Sequence, residues 1–512
     1  MNVFKQKSNH SQMKKLLIFT TLLLGSISLF SQTYETDAAR MMTNDLSGTA
    51  RSLGAGGAFS TVGADMSSMS SNPAGIALYR THEFAVTAGG LWGNTNSSYL
   101  GNSSNASFSK ATISQAGFIF ATRKLSNYDN LSYNHGGSKL DRVVIGIGYQ
   151  KLADFNRTDY FYGTNTQNSY AQAIAADLNR NINNINLNNF QIPEVNAYQT
   201  YVTDYTDSTN STLASKIGLP VNQIGSVTTQ GSLSELNLTL GFNVGNTVYI
   251  GAGMGVPYMS YHRYYSFYEG NAGGDSSYTS NYGYSYSGWG VNGKFGIIVK
   301  PVQWVRIGAA IQTPTMYRLH ESDYGTTNSS FGDTTSFSQG NSSFYNFTYN
   351  NPLKGTFGAS FYLNHWGFLS VDYELNDYSH THYTFDDGAS ASYWNTLINA
   401  KYQLASTVKV GAEFAYKSLR VRGGFAWSQS PFRNGVAVSG YTGERFNYTA
   451  GIGYRGRIFF ADLAYVRTQY KDYYAPYSYQ SGATTEEPGV YNNFSSNTIV
   501  ATIGFKFGVR RN

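Results

Sequence analysis

From about residue 83 the chain repeats one pattern more than any other. About ten residues of apolar side chains alternating with small, polar or charged ones are followed by a turn or a long polar stretch. Successive side chains on a strand point to opposite faces, so each segment has an apolar face and a mixed one. At the C-terminus Ile499, Ala501, Ile503, Phe505 and Phe507 share one face, and Thr502, Gly504, Lys506 and Gly508 the other. Val408, Val410, Ala412, Phe414 and Tyr416 alternate likewise with Lys409, Gly411, Glu413 and Ala415. A soluble β-sandwich would bury the apolar faces and charge the others. Here the mixed faces are mostly Gly, Ser, Thr and Asn with single charges, and charged residues make up 13% of the chain, against about 25% in ordinary soluble proteins. The segments also have the roughly 9–11 residues that a tilted strand needs to cross a bilayer, with aromatics near their ends. The expected fold is all-β, a transmembrane antiparallel β-barrel, ahead of a secreted sandwich.

Fourteen segments fit: 83–92, 113–122, 143–152, 233–244, 248–258, 282–299, 305–317, 353–363, 367–375, 407–416, 419–428, 446–454, 458–466 and 497–508. An even count suits a single-chain bacterial barrel. Short connections at 245–247, 300–304, 364–366, 417–418 and 455–457 alternate with long polar ones at 259–281, 318–352, 376–406, 429–445 and 467–496. That asymmetry matches periplasmic turns and external loops. The connection 123–142 breaks the rule, being long where a turn belongs. The longest loop, 153–232, contains a helical-looking stretch at 171–182 and is expected to form a folded external cap. Residues 1–31 read as a secretory signal: Lys5, Lys7, Lys14 and Lys15 precede an apolar run from Leu16 to Phe30. Those lysines carry four of the six net positive charges, so the remaining chain gives no case for a nucleic-acid partner. There is no cysteine, which excludes disulfides, thiolate metal sites and a lipid-anchored cysteine.

Residues 32–82 do not alternate. They are rich in small residues, with Gly54, Gly56, Gly57 and Gly63, and end in Asn72-Pro73-Ala74-Gly75. Proline lacks an N–H and pushes the residue before it out of the helical region, so Asn72-Pro73 breaks a helix or strand. Asn72 can bond the local backbone in an Asx turn, and Gly75 can take a positive φ. The stretch RSLGAGGAFSTVGADMSSMSSNPAGIALY (51–79) resembles the N-terminal hatch of the long-chain fatty-acid transporter family of outer-membrane proteins (FadL/TodX type). IGAAIQTPTMYRL (307–319), VKVGAEFAYKSLRVRGGFAWSQSPF (408–432) and YTAGIGYRGRIFFADLAYV (448–466) agree with it. The resemblance implies a 14-stranded barrel in the outer membrane of a Gram-negative bacterium, with a hatch at 32–82 inside a barrel at 83–512. It also implies passive uptake of hydrophobic small molecules, long-chain fatty acids or aromatic hydrocarbons. Two features depart from it: residues 508–512 follow the aromatic Phe507, and the loop 153–232 is enlarged.

The candidate gate is Asn72, Pro73, Ala74 and Gly75. Inward charges expected from the alternation are Arg306, Lys354, Asp372, Glu374, Lys409, Glu413, Arg420, Arg422, Asp462 and Lys506, most of them paired across neighbouring strands. Of these, Arg306, Lys409, Arg420 and Arg422 are candidates for facing a ligand carboxylate. Tyr282, Tyr284 and Tyr286 lie on one face and read as an interfacial girdle or packing near a loop, with sugar stacking as the alternative. No nucleotide-binding glycine motif follows a strand, and no serine–histidine pair suggests a hydrolase. No cofactor, metal or catalytic residue is expected. The expected partners are a hydrophobic ligand, outer-membrane lipid and the barrel assembly machinery, with the protein a monomer. Rival readings are a surface receptor or adhesin that captures haem through loop histidines (His262, His320, His365, His380 and His382), and a general porin.

Overall fold

The structure is a computed structural model describing residues 34–42, 45–122, 140–180, 191–206, 212–341, 345–386, 391–481 and 484–508. The expected signal segment 1–31 and most of the connection 123–142 lie outside these residues. Among the described residues no helix is long and apolar enough to cross a membrane. Fourteen antiparallel strands form the wall: β1 (His82–Tyr99), β2 (Asn102–Ala121), β3 (Leu140–Asp154), β4 (Val221–Val244), β5 (Val248–Asn271), β6 (Ser276–Val302), β7 (Val305–Gln312), β8 (Lys354–Tyr362), β9 (Gly367–Asp377), β10 (Leu404–Tyr416), β11 (Leu419–Ser428), β12 (Arg445–Arg455), β13 (Phe459–Tyr474) and β14 (Val490–Phe507). Each pairs with the next, and β1 closes the ring by pairing with β14 from His82↔Phe507 to Ser98↔Tyr491. Closure pairs the lower wall on both sides of each strand, as backbone in lipid requires, while Asn102–Ser114 of β2 pairs with β1 alone among the described residues.

The alternation has the expected hand. Phe505 and Ile503 are 48% and 51% exposed on the outer face, while Thr502, beside Ile503 and facing inward, is fully buried. Ile113, Ile147, Leu238, Val291 and Ile452 are similarly exposed, each on its strand's outer face. This apolar belt is bordered by aromatics such as Tyr258 and Trp289, whose rings lie 4.6 Å apart. The protein is a membrane barrel of the outer-membrane type.

The strands outgrow the expected segments. β4 and β5 have 24 residues each and β6 has 27, so a 24-residue strand runs about 80 Å along its length. The polar connection at 259–281 is therefore mostly ladder, paired from Val248↔Val299 to Gly270↔Ser277. Above the lipid both faces are polar or aromatic, so the period-two signal that marks the lower wall fades. The same holds for the loop 153–232. Its flanks are strand, because Arg157–Asn165 pairs with the upper part of β4. Between them the helices Tyr170–Asn179 and Ile192–Gln199 form a cap. Ser169 and Gln172 cap the first helix reciprocally, and Glu269 of β5 accepts the N–H groups of Tyr170 and Ala171 at 2.9 and 3.1 Å. The cap is thus fastened to the top of the wall.

Candidate functional site

The residues before β1 fold inside the barrel as a hatch: a helix at Tyr34–Met42, short helices at Ala50–Gly54 and Ser68–Ser71, and a 3-10 helix at Pro73–Leu78. Asp65 organises its centre, accepting from the Thr49 hydroxyl at 2.8 Å and from the Ser67 N–H and hydroxyl at 3.0 and 2.7 Å. The hatch is tied to the wall on several sides. Asp372 of β9 accepts from the Ser60 N–H and hydroxyl at 2.8 and 2.5 Å. Arg306 of β7 donates to the Val62 carbonyl and the Tyr362 hydroxyl, each at 2.6 Å. Thr449 and Thr502 accept the N–H groups of Gly56 and Ala50 at 2.9 and 2.7 Å.

Asn72 is fully buried and extended (φ −153, ψ 104), and its side chain accepts the Ala74 N–H at 3.1 Å, the expected Asx turn. The break falls as expected, since Ser68–Ser71 ends at Asn72 and Pro73 opens the 3-10 helix. Gly75, however, does not take a positive φ. It is glycine for lack of room: a Cβ there would meet the Ser68 Oγ and Cβ at 2.5 and 2.7 Å. The turn lies flat on the wall over glycines paired across three strands, Gly241↔Gly251↔Gly296. A Cβ on Gly251 would come within 2.1 Å of the Pro73 carbonyl carbon, and one on Gly296 within 2.0 Å of the Asn72 Oδ1.

Above the hatch is a cavity of about 830 Å³. Hatch residues Arg40, Leu46 and Leu53 line it from one side, and the wall and the helix Ser392–Lys401 from others. Its lining mixes apolar side chains such as Leu152, Phe155 and Phe432 with tyrosines, among them Tyr261, Tyr265, Tyr470 and Tyr474. None of the described histidines lines it. Tyr282, Tyr284 and Tyr286 face the lumen and are buried, so they are no lipid girdle; Tyr284 and Tyr286 donate to Asp37 of the hatch at 2.8 and 3.2 Å.

The four candidate ligand-facing cations are engaged elsewhere and none lines this cavity. Arg306 holds the hatch. Lys409 pairs with Glu374 at 2.5 Å, which also pairs with Lys354 at 3.1 Å. The side chain of Arg422 is wholly buried between Glu413 and Asp462, at 2.6 and 2.7 Å. Arg420 donates to the Lys417 and Leu419 carbonyls and lies 3.7 Å from Glu413. Cross-strand ion pairing is thus the structural role of Lys409 and Arg422, while Arg306 ties the hatch to the wall. Arg51 of the hatch joins the cluster at 3.5 Å from Glu413.

The sequence matches no protein-family profile and no curated protein. Solved structures do match. The P. putida toluene transporter TodX superposes with a TM-score of 0.52 at 12% identity, covering 91% of this chain and 100% of that one. A Pseudomonas aeruginosa FadL homologue gives 0.52 at 13% identity, covering 90% and 98%. The fold is that of the FadL-type barrels. The CymD monoaromatic hydrocarbon channel agrees, with a TM-score of 0.50 at 11% identity over 91% and 99%. In this FadL-like fold, sequence reasoning missed Arg263, which lines the upper cavity between Tyr261 and Tyr265 on the inner face of β5. The available signal was an arginine alternating with tyrosines, Tyr261, Arg263 and Tyr265, in a stretch that read as loop.

Proposed function

We propose that the protein is a passive channel that takes hydrophobic small molecules across an outer membrane, with Asn72, Pro73, Ala74 and Gly75 as its gate. The observation that carries this reading is a plug seated on glycines beneath a partly apolar cavity. A ligand can collect in the cavity, yet it meets the hatch before it can leave the lower lumen. The seat is a close backbone approach at Gly251, with the Asn72 Oδ1 over Gly296 and Ile76 over Gly241, so the turn can leave the wall without breaking the wall's ladder. A ligand shifts that equilibrium only by the difference in its affinity for the seated and lifted arrangements. The structural neighbours support the substrate class: two of them are a toluene transporter and a monoaromatic hydrocarbon channel.

The test is entry of a labelled long-chain fatty acid, and separately of a monoaromatic hydrocarbon, into cells lacking their own transporter. Correctly assembled protein that speeds neither compound refutes the channel. Asn72→Ala and Gly75→Ala should alter uptake while leaving the barrel's heat-modifiable gel mobility unchanged. Uptake indifferent to both changes removes the gate and leaves the channel. A large, steady ionic conductance in planar bilayers would favour a general porin, since a seated hatch should pass little current.

A further inference from the structure

Four arginines line the upper cavity, and three are matched with carboxylates. Arg40 lies 3.0 Å from Asp37. Arg157 grips Asp472 with two bonds, at 2.5 and 2.9 Å, and Asp159 at 2.7 Å. Arg445 pairs with Asp45. Arg263 is the exception. It is 4% exposed, and it has no hydrogen bond or ion pair among the described residues. Its Nε is buried without an acceptor. The strand register fixes its place, in the row Arg157↔Thr229↔Arg263↔Tyr284 across the inner wall.

The plain alternative is that Tyr265 satisfies the charge, since the guanidinium carbon stands 4.6 Å from that ring's centre. A ring face answers the charge of a guanidinium from above its plane. It leaves the five N–H donors, which lie in the plane, without acceptors. A guanidinium removed from water and left unpaired is costly, and the remedy is an acceptor with two oxygens in one plane. Nor is it a general excess of charge that leaves Arg263 unmatched. Lys151 pairs with Asp154 at 2.5 Å, and Glu487, a lining carboxylate without a recorded ion pair, is exposed to solvent. A second donor points the same way: the Tyr474 hydroxyl, also on the cavity lining, is buried without a partner.

The surroundings of Arg263 specify the rest of the ligand. Tyr261 and Tyr265 flank it on the same strand face, and Tyr284 is its cross-strand neighbour. Tyrosines offer flat apolar faces and polar tips, and aromatic pairs gain energy beyond the area they bury. A plain hydrocarbon would fill the space but leave the guanidinium drier and still unpaired. We propose that the upper cavity binds an aromatic carboxylate, its acid group on Arg263 and its ring among Tyr261, Tyr265 and Tyr284. This names a ligand class for the cavity of the proposed channel and rests on that reading for its use in uptake, though the binding site stands by itself.

The experiment is calorimetric titration of the purified protein in lipid nanodiscs, with empty nanodiscs as the blank. Three probes separate the contributions: 2-naphthoate, its neutral near-isostere 2-naphthamide, and decanoate, which keeps the charge and replaces the ring with a chain. Naphthoate should bind at least about 10-fold tighter than either of the others, the discrimination expected when a buried polar group loses its only partner. Arg263→Gln should lower naphthoate affinity about 10-fold or more and leave naphthamide unchanged, and Arg263→Lys should recover part of the loss. Equal binding of naphthoate and naphthamide, or an equal loss of both in Arg263→Gln, overturns the assignment. Decanoate binding as tightly as naphthoate overturns its aromatic half. If naphthoate binds as stated while cells take up neither hydrocarbon nor acid, the channel reading fails and the site remains. Hydrocarbon uptake without selective naphthoate binding gives the converse. Unchanged heat-modifiable mobility of the variants excludes misfolding as the cause.

Discussion

Gly251→Ala should unseat the hatch without harming the wall. The added methyl would stand 2.1 Å from the Pro73 carbonyl carbon and 2.2 Å from the Ala74 nitrogen. Carbon atoms rest at about 3.5–4.0 Å, so the turn must retreat by roughly 1.5 Å. Both opposing atoms belong to the backbone, so no side-chain rotation can relieve the clash. Overpacking of this kind costs about 1–3 kcal/mol. The cost falls on the seated hatch, because β5 pairs with β4 and β6 through backbone groups that alanine retains. A penalty of about 2 kcal/mol changes the ratio of seated to lifted hatch by roughly 30-fold. The readout is native-state hydrogen exchange at Gly75 and Tyr79, whose N–H groups bond the Asn72 and Ile76 carbonyls at 2.9 and 3.0 Å. Both amides should exchange roughly 30-fold faster, and planar bilayers should show brief openings absent from the wild type. The control is Gly423→Ala, where a Cβ meets nothing within 4 Å. If exchange at Gly75 and Tyr79 is the same in both variants, wall contact does not hold the turn and the argument is wrong.

Phe505→Arg places a charge on the lipid face and should cost about 2–4 kcal/mol near the bilayer midplane, less toward an interface, whereas Lys506→Gln on the inner face should be mild. Denaturant titration in lipid checks this, and equal tolerance at both positions would mean the register is off by one residue. Asp372→Ala strips the acceptor from two Ser60 donors in a buried site and should loosen that side of the hatch by about 1–3 kcal/mol, read as faster exchange of the Ser60 amide; unchanged exchange would show that this tie is redundant. In the cap, burial, and secondarily the nearby Asp177, push the Glu194 carboxyl up from 4.5 to about 8. Between those values the folded cap binds a proton that the unfolded one releases, so this contribution is full below about pH 4.5 and falls as pH rises to 8. Glu194→Gln keeps an acceptor for the Gln191 N–H and should flatten that decline, measured as protection factors over Ile192–Gln199. Wild-type protection that is constant across the window contradicts the assignment.

The lower wall was legible because lipid imposes the alternation. A residue such as Ile503 or Phe505 must be apolar if it faces hydrocarbon, and its neighbours need only fit a wet or crowded interior. That requirement ends where the wall leaves the membrane. At Tyr261, Tyr265 and Tyr284 both faces carry hydroxyls and rings, so alternation could not show that β5 and β6 continue upward, or that the tyrosines of 282–286 point inward. The charges were legible as inward-facing but not in their tasks. Arg306 and Asp372 grip the hatch, a contact between residues some 240 and 310 positions apart that no local pattern encodes. Gly75 was singled out for a positive φ that it does not take; its constraint is the Ser68 side chain. Arg263 carried no local signal, because its lack of a hydrogen bond or ion pair among the described residues is visible only from its three-dimensional neighbours.

The hatch also bears on the order in which the molecule can be built. It runs directly into β1, three residues separating Leu78 from His82. Several of its anchors, however, come late in the chain: Asp372 on β9, Thr449 on β12 and Thr502 on β14. The hatch is therefore made first and secured last, once the final strand supplies Thr502. That same strand pairs with β1 and shuts the ring. The strand that shuts the ring therefore also supplies one of the hatch's ties, so closing the seam and completing the hatch's fastening draw on the same segment.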